Sequence, residues 1–447
     1  MPHPSYASAL AFIEARSNYA RGSISSPSSS TGGPQMGLIR TRALLDALGA
    51  PDRAYPIVHI AGSKGKGSTS AFLATIGKAA GYRTGLSTSP HLHSFRERMA
   101  IDGMSIDQAE FANIANQVRT ATEAVEQERP EFGATTAFEI LTAMALLYFA
   151  EMDCELAVVE VGLGGAFDAT NVVTSAVSVI TRLDLEHTQV LGDTLAEIAA
   201  NKAGIIEPGR PVIAAWQAAE ALDVIEQTAR ASGSPLLVAG RDFSWQGNWQ
   251  SFAWADAAHR IDNLRSGLIG NHQMENASLA IAAWRELAHL GFHASDDAIR
   301  AGIAQASLPG RFEQVATNER TWILDGAHTP VSAAALADAI IDAFGQPIGA
   351  IVGLLRDKHP AEFFDALAPA ISHLIVTEPK NPRAIPADDL ILTAPTVDSQ
   401  TVASKDLETS LVTARERFPD GLPVVITGSF TLVAEARERF GLALPDR

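Results

Sequence analysis

A glycine-rich turn between an apolar run and a helical pattern constrains the fold of this chain more than any other feature. The turn is Gly-Ser-Lys-Gly-Lys-Gly-Ser at residues 62–68. The apolar run at 57–61 predicts a strand before it, and the apolar spacing beyond Ser68 predicts a helix after it. Glycines let backbone N–H groups face one concavity, and the helix adds the positive end of its dipole. The turn therefore predicts an α/β fold that binds a nucleoside triphosphate, with Lys66 as the point charge and Ser68 as a magnesium ligand.

The spacing of this turn departs from the common P-loop, which places its first glycine six positions before the lysine. Ile60 occupies that position, and an additional Gly67 separates Lys66 from Ser68. Glycine-rich turns between a strand and a helix also occur in α/β proteins that bind no nucleotide. Both interpretations remain open on the turn alone.

Strand-like and helical segments alternate beyond the turn. Three further apolar runs have strand character, at 156–161, 177–181 and 212–215. Strands that alternate with helices predict a doubly wound, mainly parallel sheet covered on both faces. The helix at about 137–152 begins after Thr136 with Glu139 three positions on, which is the pattern of a capping box. Residues 240–265 are richer in tryptophan and polar residues and predict an antiparallel excursion.

A second series of strands and helices predicts a separate C-terminal domain. Its strand-like runs lie near 322–324, 350–352, 373–376 and 423–426. A proline and a glycine interrupt the chain at Leu308–Arg311, and 447 residues exceed the size of a single core. We therefore expect a nucleotide-binding domain at residues 1–306 and a smaller Rossmann-like α/β domain at residues 307–447. No G-x-G-x-x-G fingerprint follows a strand of the second domain, which disfavours a nicotinamide cofactor.

Charge and composition limit the partners of the chain. The formal net charge of −17 argues against nucleic acid and anionic membranes, because neither is attracted to an acidic surface. The single cysteine, Cys154, excludes an internal disulfide, and its apolar setting predicts an inert core thiol. The N-terminus lacks a signal-peptide profile, and the longest apolar run, about 140–150, is too short to span a bilayer. We expect a cytoplasmic protein with small-molecule partners, and we expect a monomer.

Further polar residues follow the predicted strands. Glu160 ends its strand and would face the same crevice as the phosphate turn, so a magnesium ligand is its natural role. His187 reaches the same rim, although a lone histidine there is more often a structural hydrogen-bonding residue than a ligand. Lys202 lies in a helical segment, and from the sequence alone we expect a solvated surface lysine. Asp325 and His328 follow the first strand of the second domain and would lie at the corresponding edge.

Seven segments of the chain occur in an order typical of one family. They are Ile60–Ser68, Ser89–Leu92, Glu160–Gly165, Asp168–Asn171, His187–Thr188, Lys202–Ile205 and Asp325–His328. The chain resembles the folylpolyglutamate synthase and dihydrofolate synthase family from about Leu38 to its C-terminus. This family belongs to the Mur ligase superfamily, whose members join an amino acid to a carboxylate at the expense of ATP.

The resemblance implies a role for most of these segments. The triphosphate would be held by Gly65, Lys66, Gly67 and Ser68. Magnesium would be bound by Ser68, Ser89, Glu160 and His187. The nucleotide would also be bound by Asn276, Arg311 and Asp325, with His328 close by. The pterin pocket, which belongs to the first domain, would be lined by Thr136, Phe167, Asp168 and Ala169.

The same resemblance implies that Lys202 is carbamylated, which converts a cation into an anion able to steady a second Mg²⁺. Carbon dioxide reacts only with the neutral amine, so the site would have to lower the pKa of this lysine by burial or nearby positive charge. Lys66, Lys202 and His187 would be the catalytic residues. The Asp168 carboxylate would suit the edge of a pterin, which offers two parallel donors.

The chain also departs from the usual pattern of this family. Ala166 replaces arginine, Phe167 replaces leucine, Thr329 replaces asparagine, and Asp184-Leu185-Glu186 replaces glycine-leucine-aspartate. The changes at Ala166 and Phe167 adjoin the implied pterin site. They bear on the choice of acceptor more than on the reaction.

We therefore predict an ATP-dependent ligase that adds L-glutamate to dihydropteroate, to reduced folate polyglutamates or to both through an acyl phosphate, in folate biosynthesis. One alternative is a Mur ligase acting on another carboxylate, although only about sixty residues precede Gly62, too few for the usual N-terminal domain. A second is a P-loop kinase or ATPase. A third is a folate-binding regulatory protein without catalysis, suggested by Ala166 and Phe167.

Overall fold

The computed structural model describes residues 5–17, 34–317, 320–394 and 401–444. The chain forms two compact units. The first consists of the residues up to Ser266 together with Met274–Ala306, and the second of Gly267–Gln273 together with the residues from Ser307 onward. Among the described residues, the two units share no sheet.

The first unit contains one large sheet and one small sheet. Its strands are β1 (Ile57–Ala61), β2 (Thr84–Ser87), β3 (Met99–Ile101), β4 (Met104–Ser105), β5 (Leu156–Glu160), β6 (Val177–Ile180), β7 (Val212–Ala214), β8 (Leu236–Val238), β9 (Phe243–Asn248), β10 (Ser251–Asp256) and β11 (Arg260–Leu264). The large sheet has the order β4-β3-β2-β5-β1-β6-β7-β8. Neighbouring strands are parallel from β2 to β8, whereas β3 and β4 add an antiparallel edge.

Helices connect these strands and follow them. They are α1 (Tyr6–Glu14), α2 (Pro34–Ala47), α3 (Lys66–Ala79), α4 (Gln108–Glu128), α5 (Ala137–Glu151), α6 (Thr188–Leu191), α7 (Leu195–Ala203), α8 (Ala219–Ala231), α9 (His272–Glu286) and α10 (Asp296–Gln305). The predicted doubly wound, mainly parallel sheet is confirmed. The strands expected at its centre match β5, β6 and β7 with their C-terminal ends one residue shorter.

Strand β1 lies near the centre of the large sheet, between β5 and β6. All of its residues are buried, as are those of β5. Central parallel strands are covered on both faces, which is why they read as continuous apolar runs in the sequence. The excursion expected at 240–265 is confirmed as the antiparallel sheet of β9, β10 and β11. The β3–β4 edge was not predicted from the sequence, because strands of two or three residues are too short to show an alternating pattern.

Helix α5 begins with the capping box that the sequence predicted. The Thr136 hydroxyl accepts the Glu139 N–H at 3.3 Å, and Glu139 Oε2 accepts the Thr136 N–H at 2.9 Å. Glu139 also forms a buried, bidentate ion pair with Arg40 of α2, with N–O distances of 2.7 and 3.1 Å. A Cβ atom on Gly37 would lie 3.2 Å from the same carboxylate. The start of α5 is therefore fixed by α2 through one buried carboxylate.

Removal of the Arg40 charge should destabilise the protein strongly. We expect Arg40→Met to lower the free energy of unfolding by about 3–5 kcal/mol, because Glu139 would stay buried without its counter-ion. Arg129→Met is the control, since Arg129 pairs with Glu131 and both of these side chains are exposed to solvent. We expect that control to cost no more than about 2 kcal/mol. Urea unfolding curves test the difference, and equal costs would contradict it.

The second unit is a six-stranded sheet with the order β12-β13-β17-β14-β15-β16. Its strands are β12 (Glu313–Ala316), β13 (Thr321–Leu324), β14 (Ile348–Val352), β15 (Ile371–Thr377), β16 (Val402–Ser404) and β17 (Val424–Thr427). Only β12 is antiparallel to its neighbour. Its helices are α11 (Pro330–Phe344), α12 (Pro360–Leu367), α13 (Ala387–Leu390), α14 (Leu407–Arg417) and α15 (Phe430–Arg439). The predicted C-terminal α/β layer is confirmed.

Two further predictions from the sequence were that Cys154 is a buried, inert thiol and that the chain has no membrane-spanning helix. Cys154 is buried, and burial raises the pKa of its thiol to about 12, which agrees with an inert core residue. Of the helices in the described ranges, none has the length and apolar character needed to cross a membrane.

Candidate active site

The turn after β1 requires glycine at two positions. Gly62 has a φ of 150° and Gly65 a φ of 92°. A Cβ atom on Gly62 would lie 1.8 Å from Thr181 Oγ1, and one on Gly65 would lie 2.2 Å from Asn276 Oδ1. Neither position has room for a side chain. Asn276 is thereby placed directly against the turn, as its predicted role in nucleotide binding requires.

The backbone amides of the turn fall into two groups, one that is hydrogen-bonded to the protein and one that is placed to bind phosphate. The N–H groups of Ser63 and Lys64 donate to the carbonyl of Arg182 at 3.0 and 3.1 Å, which fixes the turn to the loop after β6. Helix α3 begins at Lys66, and the first amides of a helix have no acceptor within it. The amides of Lys66–Ser68 and the dipole of α3 therefore suit phosphate oxygens. The buried Thr69 hydroxyl adds a donor with no hydrogen-bond partner among the described residues.

Three lysines converge beside the turn. The Nζ atoms of Lys66 and Lys202 both donate to the carbonyl oxygen of Gly62, at 2.9 and 2.7 Å. Lys202 Nζ also pairs with Glu186 Oε1 at 3.2 Å, and Lys64 Nζ lies 3.7 Å from Glu186 Oε2. The single carboxylate of this group balances only part of the positive charge. The remainder is available to a polyphosphate.

Lys202 is not the solvated surface lysine that we expected from the sequence alone. Only 1% of its surface is exposed. It lies on the buried face of α7, four positions after Ile198 and three after Ala199, and this spacing was the signal that the sequence offered. Burial and the neighbouring charge of Lys66 lower the pKa of Lys202 to about 8, although Glu186 opposes the shift.

Glu186 is a residue of this site that sequence analysis did not identify. Burial by itself would raise the pKa of its carboxyl group, but the charges of Lys66, Lys202 and Lys64 outweigh burial and lower that pKa. Glu186 is therefore ionised at neutral pH. In the sequence, Glu186 differs from the aspartate that is usual at this position in the family. Its place between the end of a strand and His187 was the available signal.

The predicted magnesium ligands lie at the carboxyl ends of the central strands. Glu160 ends β5, and its Oε2 accepts the Ser89 N–H at 3.0 Å, so the structure brings these two residues together. Ser68 is buried in the first turn of α3, and His187 is exposed on the loop after β6 with a φ of 47°. Within the described ranges, no three His, Cys, Asp or Glu residues form a metal-binding group. The donor set fits Mg²⁺, which commonly keeps water and phosphate oxygens as its other ligands.

Asp168 organises the loop that follows β5. Its Oδ2 accepts the Leu163 N–H at 2.9 Å, and its Oδ1 accepts the N–H and the hydroxyl of Thr170 at 3.0 and 2.6 Å. The same hydroxyl oxygen lies 2.8 Å from Nε2 of His59 in β1. Since the Thr170 proton goes to Asp168, His59 is the donor. Burial raises the pKa of Asp168 and lowers the pKa of His59 to about 3, so His59 is neutral.

The other residues predicted for the acceptor pocket lie around this loop. Ala169 is buried in a short 3₁₀ turn, and the Phe167 ring beside it is 38% exposed. Thr136 caps α5, whose Phe138 ring packs so closely on the loop that a Cβ atom on Gly162 would lie 2.4 Å from it. Phe138 was not identified from the sequence. Its ring joins the start of α5 to the loop that Asp168 organises.

Ala166 joins the same loop to the helix that carries Lys202. Its N–H donates to the carbonyl of Asn201 at 2.8 Å, and a Cβ atom on Gly204 would lie 2.4 Å from the Ala166 side chain. The replacement of the family's arginine by alanine therefore occurs at a tightly packed contact with the end of α7.

In the second unit, Arg311 and His328 are arranged around Phe430. The guanidinium carbon of Arg311 lies 4.7 Å from the centre of the Phe430 ring, and the His328 ring centre lies 5.5 Å from it. A Cβ atom on Gly326 would lie 2.6 Å from that ring and 2.7 Å from Arg311 Nη1. Phe430 was not identified from the sequence, although it follows the end of β17, where ligands of such sheets bind.

Asp325 follows β13 in the same cluster. Its two carboxylate oxygens accept the N–H groups of Phe312 and Ala327 at 2.8 and 2.9 Å. Burial raises the pKa of this carboxyl group, and the charge of Arg311 opposes the shift. The second unit therefore presents a cation, a carboxylate and two aromatic rings at one edge of its sheet.

Two domain models match this architecture. The Mur ligase middle domain matches residues 60–284, and the Mur ligase glutamate ligase domain matches residues 310–430. A parallel sheet with a phosphate turn, followed by a second α/β sheet with a ligand-binding edge, is the architecture of a Mur ligase.

Known relatives define the family within that class. The dihydrofolate synthase/folylpolyglutamate synthase of Bacillus subtilis is 34% identical over 430 residues, covering 91% of this chain and 95% of that protein. The Mycobacterium tuberculosis folylpolyglutamate synthase complexed with ADP and AMPPCP has a TM-score of 0.84 at 30% identity, covering 99% and 100% of the two chains. A complex of a folylpolyglutamate synthase (FPGS) with AMPPCP and folate has a TM-score of 0.80 at 32% identity, covering 97% of this chain and 99% of that chain. This chain belongs to the folylpolyglutamate synthase/dihydrofolate synthase family.

Proposed function

We propose that this protein uses ATP to join L-glutamate to the carboxylate of a pterin-linked acid, namely dihydropteroate or a reduced folate. The observation that carries the proposal is the meeting of Lys66 and the buried Lys202 on the Gly62 carbonyl within a phosphate turn. The relatives support it, because they are dihydrofolate and folylpolyglutamate synthases and one was solved with a nucleotide analogue and folate.

The reaction requires activation of the acceptor before the amide can form. A carboxylate is stabilised by resonance and would have to expel oxide if an amine attacked it directly. An oxygen of the carboxylate therefore attacks the γ-phosphorus of ATP, the bond to ADP breaks, and an acyl phosphate forms. The amine of glutamate attacks the acyl carbon, loses a proton, and the tetrahedral intermediate expels phosphate.

Lys66 and the amides at the start of α3 neutralise charge on the phosphoryl group during its transfer. The Lys66 Nζ rests on the neutral carbonyl of Gly62. A charged phosphate oxygen is a stronger acceptor, so it can recruit this ammonium group. Lys66 holds the phosphoryl group and forms no covalent bond with it.

Ser68, Ser89, Glu160 and His187 would hold Mg²⁺ beside the triphosphate. The ion would supply Lewis-acid stabilisation of negative charge. The contact between Glu160 and the Ser89 amide holds this carboxylate in place. Carbamylated Lys202 would provide an anionic ligand for a second ion. The pKa of Lys202, about 8, supports this assignment because it makes the neutral amine accessible.

We assign ATP and acceptor binding to residues 1–306 and the glutamate ligase role to residues 307–447. In the first part, Thr136, Phe167, Asp168 and Ala169 would bind the acceptor. In the second part, Arg311 suits a phosphate and Asp325 suits hydroxyl groups of a ribose, with His328 beside them. Asn276 would add a nucleotide contact next to Gly65.

The decisive assay supplies the purified protein with ATP, Mg²⁺ and L-glutamate, and with dihydropteroate or tetrahydrofolate in separate reactions. We expect ADP in proportion to product, and a product heavier than the acceptor by one glutamyl residue. ADP formed equally without an acceptor would instead indicate an ATPase. Acceptor binding without ADP formation would indicate a regulatory protein, and either result would overturn the proposal.

Asp168 offers a test of the acceptor pocket. We expect Asp168→Ala to raise the acceptor KM about 10-fold or more, because Leu163 and Thr170 lose their shared acceptor and the loop loosens. The KM for ATP should change less than about two-fold, because within the described ranges the hydrogen bonds of the Asp168 carboxylate go to Leu163 and Thr170 and not to the phosphate turn. Asp223→Ala, an exposed change on α8, is the control. Steady-state kinetics with each substrate varied give the answer, and equal changes in both KM values would contradict the prediction.

A further inference from the structure

Trp216 stands apart from the other tryptophans of the described chain. It follows β7 by two residues and is 55% exposed, whereas the others are buried or half-buried. An indole of this size is costly to leave in water and is commonly a binding surface. Its position at the carboxyl end of a parallel strand is where ligands of such sheets bind.

Arg182 links Trp216 to the phosphate turn. Its guanidinium carbon lies 5.3 Å from the centre of the Trp216 ring. Its backbone carbonyl accepts the N–H groups of Ser63 and Lys64. One residue therefore contacts both the indole and the hydrogen-bonded amides of the turn.

Helix α9 provides a second link. Glu275 Oε1 accepts the backbone N–H of Trp216 at 3.3 Å, and the charge of Arg182 acts on the same carboxylate. The next residue, Asn276, is the one whose amide lies against Gly65. The segment that carries Trp216 is thus linked to the turn through Arg182 and through the adjacent residues Glu275 and Asn276.

The strand order separates Trp216 from the acceptor residues. The turn follows β1, whereas Asp168 follows β5 on one side of β1 and Trp216 follows β7 on the other. A γ-phosphate that reacts with the acceptor must point toward the β5 side. The base, at the opposite end of the nucleotide, then extends toward β6 and β7.

We propose that Trp216, supported by Arg182, is the platform on which the base of the nucleotide stacks. The inference rests on the proposed function, since it assumes a nucleotide in the turn, and it adds the residue that recognises the base. Stacking on an aromatic ring tolerates many bases and strengthens binding through the exposed π-face.

The test is calorimetric titration of the full-length protein with ADP and, separately, with inorganic tripolyphosphate. We expect Trp216→Ala to weaken ADP binding about 5- to 100-fold and to leave tripolyphosphate binding unchanged, because tripolyphosphate has no base. Trp216→Phe should keep most of the ADP affinity. Leu290→Ala removes an apolar side chain that is 46% exposed in the same unit and should have no effect.

Each outcome separates the possibilities. Unchanged ADP binding by Trp216→Ala would overturn the inference and leave the proposed function intact. Equal losses for ADP and tripolyphosphate would also overturn it, because they would show that Trp216 only supports the turn. Failure of the unaltered protein to bind ADP would overturn both the inference and the proposed function.

Discussion

Replacing Lys66 with alanine is expected to lower the rate of ADP formation about 10³-fold with every acceptor, which is the cost of losing a preorganised charge at a site of phosphoryl transfer. The Nζ atom already lies over the turn, 2.9 Å from the Gly62 carbonyl, so little reorganisation is needed for it to reach a phosphate oxygen. The loss should fall on kcat more than on ADP affinity, because backbone amides of α3 continue to bind phosphate. ADP release and calorimetric ADP binding measure the two quantities separately.

Lys78→Ala is the control, since Lys78 lies at the other end of α3 and donates to the carbonyl of Asp102. Turnover by Lys66→Ala within ten-fold of the unaltered protein would contradict the role of the turn. A second effect is expected, because the charge of Lys66 helps to lower the pKa of Lys202. Removing it should raise that pKa, so the losses caused by Lys66→Ala and Lys202→Ala should not be additive.

The fold could be predicted from the sequence where burial leaves a periodic signal. Strands β5, β6 and β7 are continuous apolar runs because both of their faces are covered, and the capping box of α5 is a local pattern. The β3–β4 edge and β12 were missed because short edge strands are not covered on both faces and have no local capping pattern. The Arg40–Glu139 pair could not be foreseen, because it joins residues 99 positions apart through the packing of α2 on α5.

The candidate site was predictable where backbone chemistry restricts residue type. A Cβ atom at Gly62 or Gly65 would clash with neighbouring atoms, so glycine is required at both positions and the turn can be recognised from the sequence. The burial of Lys202 was harder to predict, because its spacing from Ile198 and Ala199 was the only signal and a lysine in a short helix is exposed far more often than buried. Glu186 and Phe430 were missed for another reason. Their roles arise from residues that approach them only in the folded chain.

Activity is expected to depend on carbon dioxide through Lys202. A pKa of about 8 leaves roughly a quarter of this amine neutral at pH 7.5, against about one part in a thousand for an ordinary lysine. Because only the neutral amine forms a carbamate, exchange into carbon dioxide-free buffer should lower kcat about ten-fold or more, and bicarbonate should restore it. The neutral fraction rises with pH through 8, so recovery at fixed dissolved carbon dioxide should be faster at pH 8.5 than at pH 7.

Lys202→Met should lose activity about 10²- to 10³-fold and should not respond to bicarbonate, because methionine fills the buried space without forming a carbamate. Lys64→Ala is the matched control. Lys64 shares Glu186 with Lys202 but is more exposed, and this variant should keep the response to carbon dioxide. ¹³C-labelled bicarbonate gives a carbamate resonance that should be present in the unaltered protein and absent from Lys202→Met. Full activity of Lys202→Met would rule out the carbamate.

A carbamate on Lys202 would place a second negative charge beside the Glu186 carboxylate. In the structure, Lys202 Nζ and Glu186 Oε1 form an ion pair at 3.2 Å, and carbamylation would replace the cation with a second anion at that contact. Two adjacent carboxylates repel unless a cation lies between them. Carbamylation and binding of a divalent cation should therefore be coupled, so that Mg²⁺ increases the intensity of the carbamate resonance and chelation decreases it. In Glu186→Gln the repulsion is absent and only the affinity of the carbamate itself for the ion remains, so the resonance should depend less on Mg²⁺ than in the unaltered protein.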